Sequence, residues 1–571
     1  MSKGAKTFLV ILGLAVVVFA AIFFGMNALN NAGKTDTQIT TEETVNQLNR
    51  YIEKKICPNE KQNPIKGTVD LEGSTLEDEL PDIDTYIIKA QGNGEVNIEI
   101  FSSPEKAGRE TMNQTSETEY NTWLVKVVED FNKQGYTTSD GKTVSVTLRS
   151  VSSGVMVDYI VSGKAVPDAI TPSNEEWVSM LKAHGIQLEQ ICPSLVKNVA
   201  GIVITNDAYD KIIQSYGSVN LETIIEATIN GEIAMGYTNP YASSTGLNFL
   251  VSALYVFVPS NPLSSEAVEQ FTLFQKNVPV VSYNTTQMQG AINSGVLDAM
   301  ILEHQGFVNN TALRNYKFVP FGVRHDNPLY SVGDISPEKN EALQIFAEFA
   351  TNAENQKRSK EFGFGEYADY VPEVPEADGN TLLDAQQLWK DKKDNGQEIV
   401  SVFIIDTSGS VDGAPLNEMK SSLINSAQYI NSENYVGLVT YNSSVTINLP
   451  IGKFDLNQRA YFNGEIESLT AGGGTKTFDA IAVGLKMLMD AKVEHPDAKF
   501  MLFVLSDGNS DGSLKSVNEY IENLNVPIYT IGYNANIEAL KEISAINEAA
   551  SINAATDDII YTLKNLFNAQ M

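Results

Sequence analysis

One stretch of this sequence gathers oxygen donors where a metal would need them. Asp406-Thr407-Ser408-Gly409-Ser410 places a carboxylate and the Ser408 and Ser410 hydroxyls within five residues. It directly follows the apolar run IVSVFII (399–405), which reads as a strand buried on both faces. In parallel sheets, ligands gather just outside the carboxyl ends of the strands. Two more pieces stand at corresponding places. GGGT (472–475) precedes a helical pattern, and LSDG (505–508) follows the apolar run KFMLFVL (499–505). Thr475 and Asp507 complete a set of five oxygen donors. Such a set suits a hard divalent cation, Mg2+ or Mn2+, which prefers an octahedron and tends to keep water. One position stays open for an external carboxylate.

A second constellation is spread over four Ser/Thr-rich loops, each read at a strand end before a helix. Its candidates are Ser102, Ser103, Ser152, Ser153, Thr171, Ser173, Ser243, Ser244 and Thr245, with Tyr283 a weaker one. Hydroxyls and free N–H groups at helix starts can surround an anion, helped by the helix dipole. The same residue types also cap helices with no ligand at all. Lys106, Arg109 and Arg149 lie near these loops in sequence, where they read equally well as surface charges. Two other motifs fail their tests. GNSDG (508–512) fits a hydrolase nucleophile turn, but His184, His304, His325 and His495 all lie upstream of it, in the wrong chain order. GGGTKT (472–477) lacks the Gly-Lys-Ser/Thr ending of a phosphate loop. No nucleophile–base pair or histidine ligand set emerges, so the chain reads as a binding protein and not an enzyme.

The elements that must position these residues follow from pattern and composition. At 571 residues the chain is too long for one core. A hydrophobic fraction of 43% excludes wholesale disorder. The net charge of −31 argues against nucleic acid, which needs a basic face. Residues 7–26 read as a transmembrane anchor. The uncharged run FLVILGLAVVVFAAIFFGM (8–26), roughly 19 residues at about 1.5 Å each, would span about 28 Å, close to a bilayer core. Lys3 and Lys6 precede it, which puts the N-terminus in the cytoplasm and the rest outside. A cleaved signal peptide is the rival, and it leaves the bulk equally extracytoplasmic. That compartment permits a Cys57–Cys192 disulfide, although spacing alone leaves two free thiols equally open. Residues 27–94 read as an extracytoplasmic linker with a short helical pattern near Val45–Ile56 and an acidic, solvated stretch. Residues 95–370 alternate strand and helix patterns, and 337–363 reads as one closing helix. Residues 371–396 read as a second linker. Residues 397–571 form a second α/β unit with near-continuous apolar strands.

On these residues, 397–571 resembles a von Willebrand factor type A domain, with a Rossmann-like fold. Asp406, Ser408, Ser410, Thr475 and Asp507 match all five positions of that family's metal-ion-dependent adhesion site, DxSxS…T…D. The resemblance implies a protein ligand that offers a carboxylate to the metal. Residues 95–370 resemble a periplasmic-type, two-lobed solute-binding protein, nearest to the class that takes molybdate- or sulfate-like oxyanions. FSSPEKAG (101–108), SVSSGVMVDYIVSGKAVPDAITPSNEEWV (150–178), GYTNPYASSTGLNFLVSAL (236–254) and VSYNTTQMQGAINSGVLDAMILEH (281–304) carry that likeness. It implies a small solute: an oxyanion leads, with a small carboxylate or sugar open. The expectation is a membrane-anchored, extracytoplasmic protein that combines solute binding with metal-dependent adhesion or sensing. The alternative is the binding component of a transport system that delivers ligand to a permease.

Overall fold

The computed structural model describes residues 40–571 apart from 70–74, 109–121, 279, 283–291, 293–296, 395–396, 534–539, 541–542, 545–550, 554–562, 564–565 and 568–569. The expected anchor at 7–26 and Tyr283 lie outside the described residues. Within them, no helix is long and apolar enough to cross a membrane.

Three sheets organise the chain. The first lobe has six strands in spatial order Ile88–Ala90, Val144–Ser150, Val96–Ser102, Ala169–Thr171, Leu329–Val332 and Leu188–Cys192. The second has five: Lys317–His325, Asn198–Ile204, Ala299–Glu303, Met235–Thr238 and Val280–Ser282. The chain crosses between lobes twice, at 193–197 and 326–328. There Leu195 N donates to Asn327 O at 3.0 Å, so the two crossings brace each other. Asn327 adopts φ 50°, a left-handed conformation that Asn tolerates better than most residues. The third sheet has seven strands: Asn59–Glu60, Val445–Lys453, Tyr435–Tyr441, Ile399–Asp406, Lys499–Ser506, Ile528–Gly532 and Ser551–Asn553. Its central strand, Ile399–Asp406, is buried at every position, as a strand covered on both faces by helices must be.

Two sheets share a topological feature that matters for ligands. Val96–Ser102 pairs in parallel with a neighbour on each side, Val144–Ser150 and Ala169–Thr171. Ile399–Asp406 does the same with Tyr435–Tyr441 and Lys499–Ser506. Connections depart to opposite sides of such a strand, so a crevice opens beyond its carboxyl end. Ser102–Ser103 and Asp406 stand at those two ends.

Several expectations are corrected. Both stretches read as linkers contain packed structure. Leu48 and Ile52, from the Thr41–Tyr51 helix and the turn after it, join the C-terminal core. Asn59–Glu60 then adds a parallel edge strand to Val445–Lys453. Farther on, Leu80 and Tyr86 join the core of the lobes, and Arg149 donates to the carbonyls of Ile83 (3.0 Å) and Tyr86 (2.6 Å). In the second stretch, Gly379–Lys392 is a helix that buries Leu382, Ala385 and Trp389. Its apolar positions recur at helical spacing, and Asp378 caps it through Asn380 N and Thr381 N. The closing helix is two helices, Pro337–Ala350 and Ala353–Glu361, because Asn352 caps the second one. Cys57 and Cys192 are free thiols. Each sulfur meets a local carbonyl instead, of Glu53 (3.2 Å) and Ser194 (3.3 Å). Cys57 is carried by the segment docked on the C-terminal domain, whereas Cys192 belongs to the first lobe.

Candidate functional site

Three loops at the carboxyl edge of the C-terminal sheet are laced together by backbone bonds. Gly409 N donates to Gly473 O (3.1 Å) and Gly472 N to Thr407 O (2.9 Å), which ties 406–410 to 472–475. Thr475 and Asp511 exchange a reciprocal pair: Thr475 N to Asp511 Oδ2 and Asp511 N to Thr475 O, both 2.8 Å. This ties 472–475 to the loop after Lys499–Ser506. Gly473, with φ 92°, takes a backbone conformation that a side chain would strain, and a Cβ there would meet Ser443 Oγ at 2.7 Å.

Asp406 is fully buried and held at both oxygens. Oδ1 accepts from Ser408 N at 2.8 Å. Oδ2 accepts from the hydroxyls of Ser506 (2.9 Å) and Tyr441 (3.1 Å). Burial holds this carboxyl above its ordinary pKa, with the Asp507 carboxylate adding to the rise against the lowering hydrogen bonds. Ser408 Oγ and Ser410 Oγ lie 3.0 Å apart. Neighbouring ligands of an octahedral Mg2+ at about 2.1 Å would lie about 3.0 Å apart, so this hydroxyl pair fits such a shell. Asp507, 6% exposed, has its oxygens turned to Asn509 N and Nδ2, each at 3.0 Å. Two nearly buried carboxylates with hydroxyls between them make an all-oxygen donor set suited to a hard cation. Among the described residues no group of three or more His, Cys, Asp or Glu gathers as metal ligands. A set built on two acids and three hydroxyls needs no such group.

The second site is a cavity of about 270 Å3 between the two lobes. Of the ten expected residues, Ser103, Ser152, Ser153, Ser173, Ser243, Ser244 and Thr245 line it. Ser102 and Thr171 do not: both are fully buried behind it. Ser102 Oγ donates to Ser103 O at 3.2 Å, and Thr171 Oγ1 has no partner among the described residues. Several lining hydroxyls already have work. Ser243 caps a helix at Gly246 N (3.2 Å), and Ser244 Oγ accepts from Trp177 Nε1 of the opposite lobe (2.8 Å). Arg149 is not a cleft residue, because Glu99 (3.1 Å) and the two carbonyls above hold it.

The sequence reading passes over Glu105 and Glu303, which line the same cavity. Glu105 accepts from the hydroxyls of Ser103 (2.5 Å) and Ser173 (3.1 Å) and from Lys106 Nζ (2.8 Å). Burial pushes its pKa up, but Lys106 and the hydroxyls outweigh that and leave it lowered. Glu303 meets His325 Nδ1 at 2.8 Å and Asn198 Nδ2 at 2.9 Å, and burial holds its pKa up. Behind them, burial pushes Glu176 up to about 7. A usable signal was present: Glu303 closes a strand, where cleft ligands gather.

Residues 402–569 match the family model of the von Willebrand factor type A domain, so the chain carries such a domain there. No curated protein matches the chain. A von Willebrand factor type A structure from Catenulispora acidiphila is 20% identical, with a TM-score of 0.27, over 30% of this chain and 41% of its own length. The N-terminal half has periplasmic binding proteins as its structural neighbours. The sulfate-binding protein SubI from Mycobacterium tuberculosis H37Rv is 14% identical, with a TM-score of 0.34, over 49% of this chain and 93% of that one. A periplasmic thiamin-binding protein is 10% identical, with a TM-score of 0.36, over 53% and 98%.

Proposed function

We propose that this chain is a membrane-anchored, extracytoplasmic binding protein with two sites and no catalytic activity. The anchor is the run 8–26, and the rest of the chain lies outside the membrane. The C-terminal domain holds Mg2+ or Mn2+ through Asp406, Ser408, Ser410, Thr475 and Asp507 and presents it to a carboxylate on a protein partner, in adhesion or sensing. The metal supplies a Lewis-acidic position for that carboxylate. The residues fix its place: Ser506 and Tyr441 orient Asp406, and the backbone lacing holds the three loops together. The observation that carries this reading is the Ser408–Ser410 hydroxyl pair at 3.0 Å beside the buried Asp406. The cleft between the lobes binds a small solute. Calorimetric titration of Mg2+ and Mn2+ into the full-length protein in detergent micelles tests the metal assignment. Saturable binding lost in Asp406→Ala is expected, and binding unchanged in that variant refutes the site.

Delivery of solute to a permease is the weaker reading. The Gly379–Lys392 helix bonds to the second lobe, through Trp389 Nε1 to Tyr237 OH (2.7 Å), and packs on the first, where Gly379 faces Ser179. It then leads directly into the metal-bearing domain. That route favours a receptor that passes a signal within one chain.

A further inference from the structure

The chemistry of the cleft argues for the charge class of its solute, on the premise that the cavity is a solute site as proposed above. Its wall carries one carboxylate from each lobe, Glu105 and Glu303. Both side chains are 12% exposed, so each is mostly withdrawn from water yet still reaches the cavity. The basic group beside them is Lys106, whose side chain is fully buried. It donates to Glu105 (2.8 Å), to Asn327 Oδ1 (2.6 Å) and to the Ser103 hydroxyl. An ammonium has three N–H bonds, and these partners use all of them. No N–H of Lys106 is left for an anionic ligand. His325 is fully buried behind Glu303 and turns Nδ1 to it, so its charge is already matched.

The local charge count points the same way. Glu105 and Lys106 cancel. Glu303 and Glu176 set two carboxyls against the single imidazole of His325, so acidic side chains outnumber basic ones around the cavity. Like charges at a few ångströms repel strongly where water is scarce. A dianion would meet two carboxylates here with no cation among the described residues free to receive it, Arg109 lying outside them. The hydroxyls of Ser103, Ser152, Ser153 and Ser173 do not resist the opposite arrangement, since a hydroxyl accepts as readily as it donates. A cavity of about 270 Å3 is also roomier than a bare metal ion needs and fits a small organic molecule.

We propose that the cleft binds a small organic cation, whose protonated nitrogen is held between Glu105 and Glu303 while lining serine hydroxyls accept its other N–H bonds. Six probes test this on the full-length protein in detergent micelles by calorimetry: putrescine, ethanolamine, arginine, sulfate, molybdate and glucose. Saturable binding of at least one of the three cations is expected, with none for sulfate or molybdate. That binding falls at least tenfold in Glu303→Gln, which keeps the size and shape of the side chain but not its charge. A wild-type measurement guards against a misfolded variant: cation affinity falls as NaCl is raised from 20 to 500 mM. Sulfate, molybdate or glucose binding while the cations stay silent overturns the cation class and leaves the solute-binding reading intact. Silence from all six overturns both. A cation bound equally well by Glu303→Gln also overturns the proposal.

Discussion

Asp406 shows how much one side chain can be asked to do. Its two oxygens accept three hydrogen bonds, and two of the donors, Tyr441 and Ser506, come from neighbouring strands. Groups that orient a metal ligand without touching the metal matter, and losing one typically costs about 10-fold to 100-fold in affinity. Tyr441→Phe is therefore expected to weaken Mn2+ binding by about tenfold in calorimetry, with the circular dichroism spectrum unchanged. Glu176 gives a prediction of a different kind. Burial raises its folded-state pKa to about 7, while His325 and the Asn174 amide pull the other way and Glu376 adds to the rise. A carboxyl raised in the folded state is protonated there first. The stability this contributes is present below the unfolded value near 4.5 and is lost as pH climbs through about 7. Denaturation of the wild type at pH 5 and pH 8 should show the loss, on the order of 3 kcal/mol. Glu176→Gln should lose less over the same interval. The five candidate metal ligands could be picked out in sequence because each stands next to a buried strand or a glycine loop, and the fold ties the loops that carry them together. Glu105 could not, since a lone glutamate looks like a solvated charge until the fold sets it across a cavity from another, and for Glu303 the strand end was the only clue.

At the scale of elements, the N-terminal strap is the largest departure from the sequence reading. Glu465, on the helix Leu456–Glu467, is fully buried and accepts from Lys61 Nζ (2.9 Å), Ile65 N (2.5 Å) and Asn448 Nδ2 (3.1 Å). A buried carboxylate with such partners is costly to remove, because each partner is left to find water. Glu465→Ala is expected to destabilise the C-terminal domain by about 2–3 kcal/mol and to expose residues 61–67 to limited proteolysis. Gly464 packs so closely that a Cβ would lie 2.3 Å from Gly67 N. Gly464→Ala should therefore loosen the same segment with no change of charge. None of this was legible, because the strap's contacts lie about 400 positions away in the sequence and its own composition is polar. The Gly379–Lys392 helix was legible in principle. Leu382, Ala385 and Trp389 have helical spacing, but the proline-rich run before them and the lysines after them mask it. Trp389 is fully buried and bonded to Tyr237, so Trp389→Ala should cost about 3–5 kcal/mol in the two-lobed half of the chain.

For the whole molecule, the question is whether the two sites communicate. Two routes join the second lobe to the C-terminal domain, one through residues 393–394 and one direct. Gln275 Nε2 donates to Lys393 O at 2.8 Å. Asp394, next in the chain, meets Lys499 Nζ at 3.5 Å, at the start of the strand that leads to Asp507. Gln570 Nε2 donates to Val281 O at 2.8 Å and accepts from Tyr529 OH at 2.8 Å. A rearrangement of the lobes would strain these ties, so solute is expected to change the affinity for Mn2+ or for a carboxylate partner. Linkage makes that coupling reciprocal. Equal Mn2+ affinity with and without a saturating solute would show the sites to be independent. The net charge of −31 serves solubility at this scale, while the candidate metal site draws on only two of the 71 acids, Asp406 and Asp507. The most direct test of the central claim is a crystal structure grown with Mn2+ and measured for anomalous scattering. The account predicts one strong peak about 2.1 Å from the Ser408 and Ser410 hydroxyls, within reach of Asp406, Thr475 and Asp507. No peak there, in crystals whose soaking solution saturates Mn2+ binding in calorimetry, would contradict it.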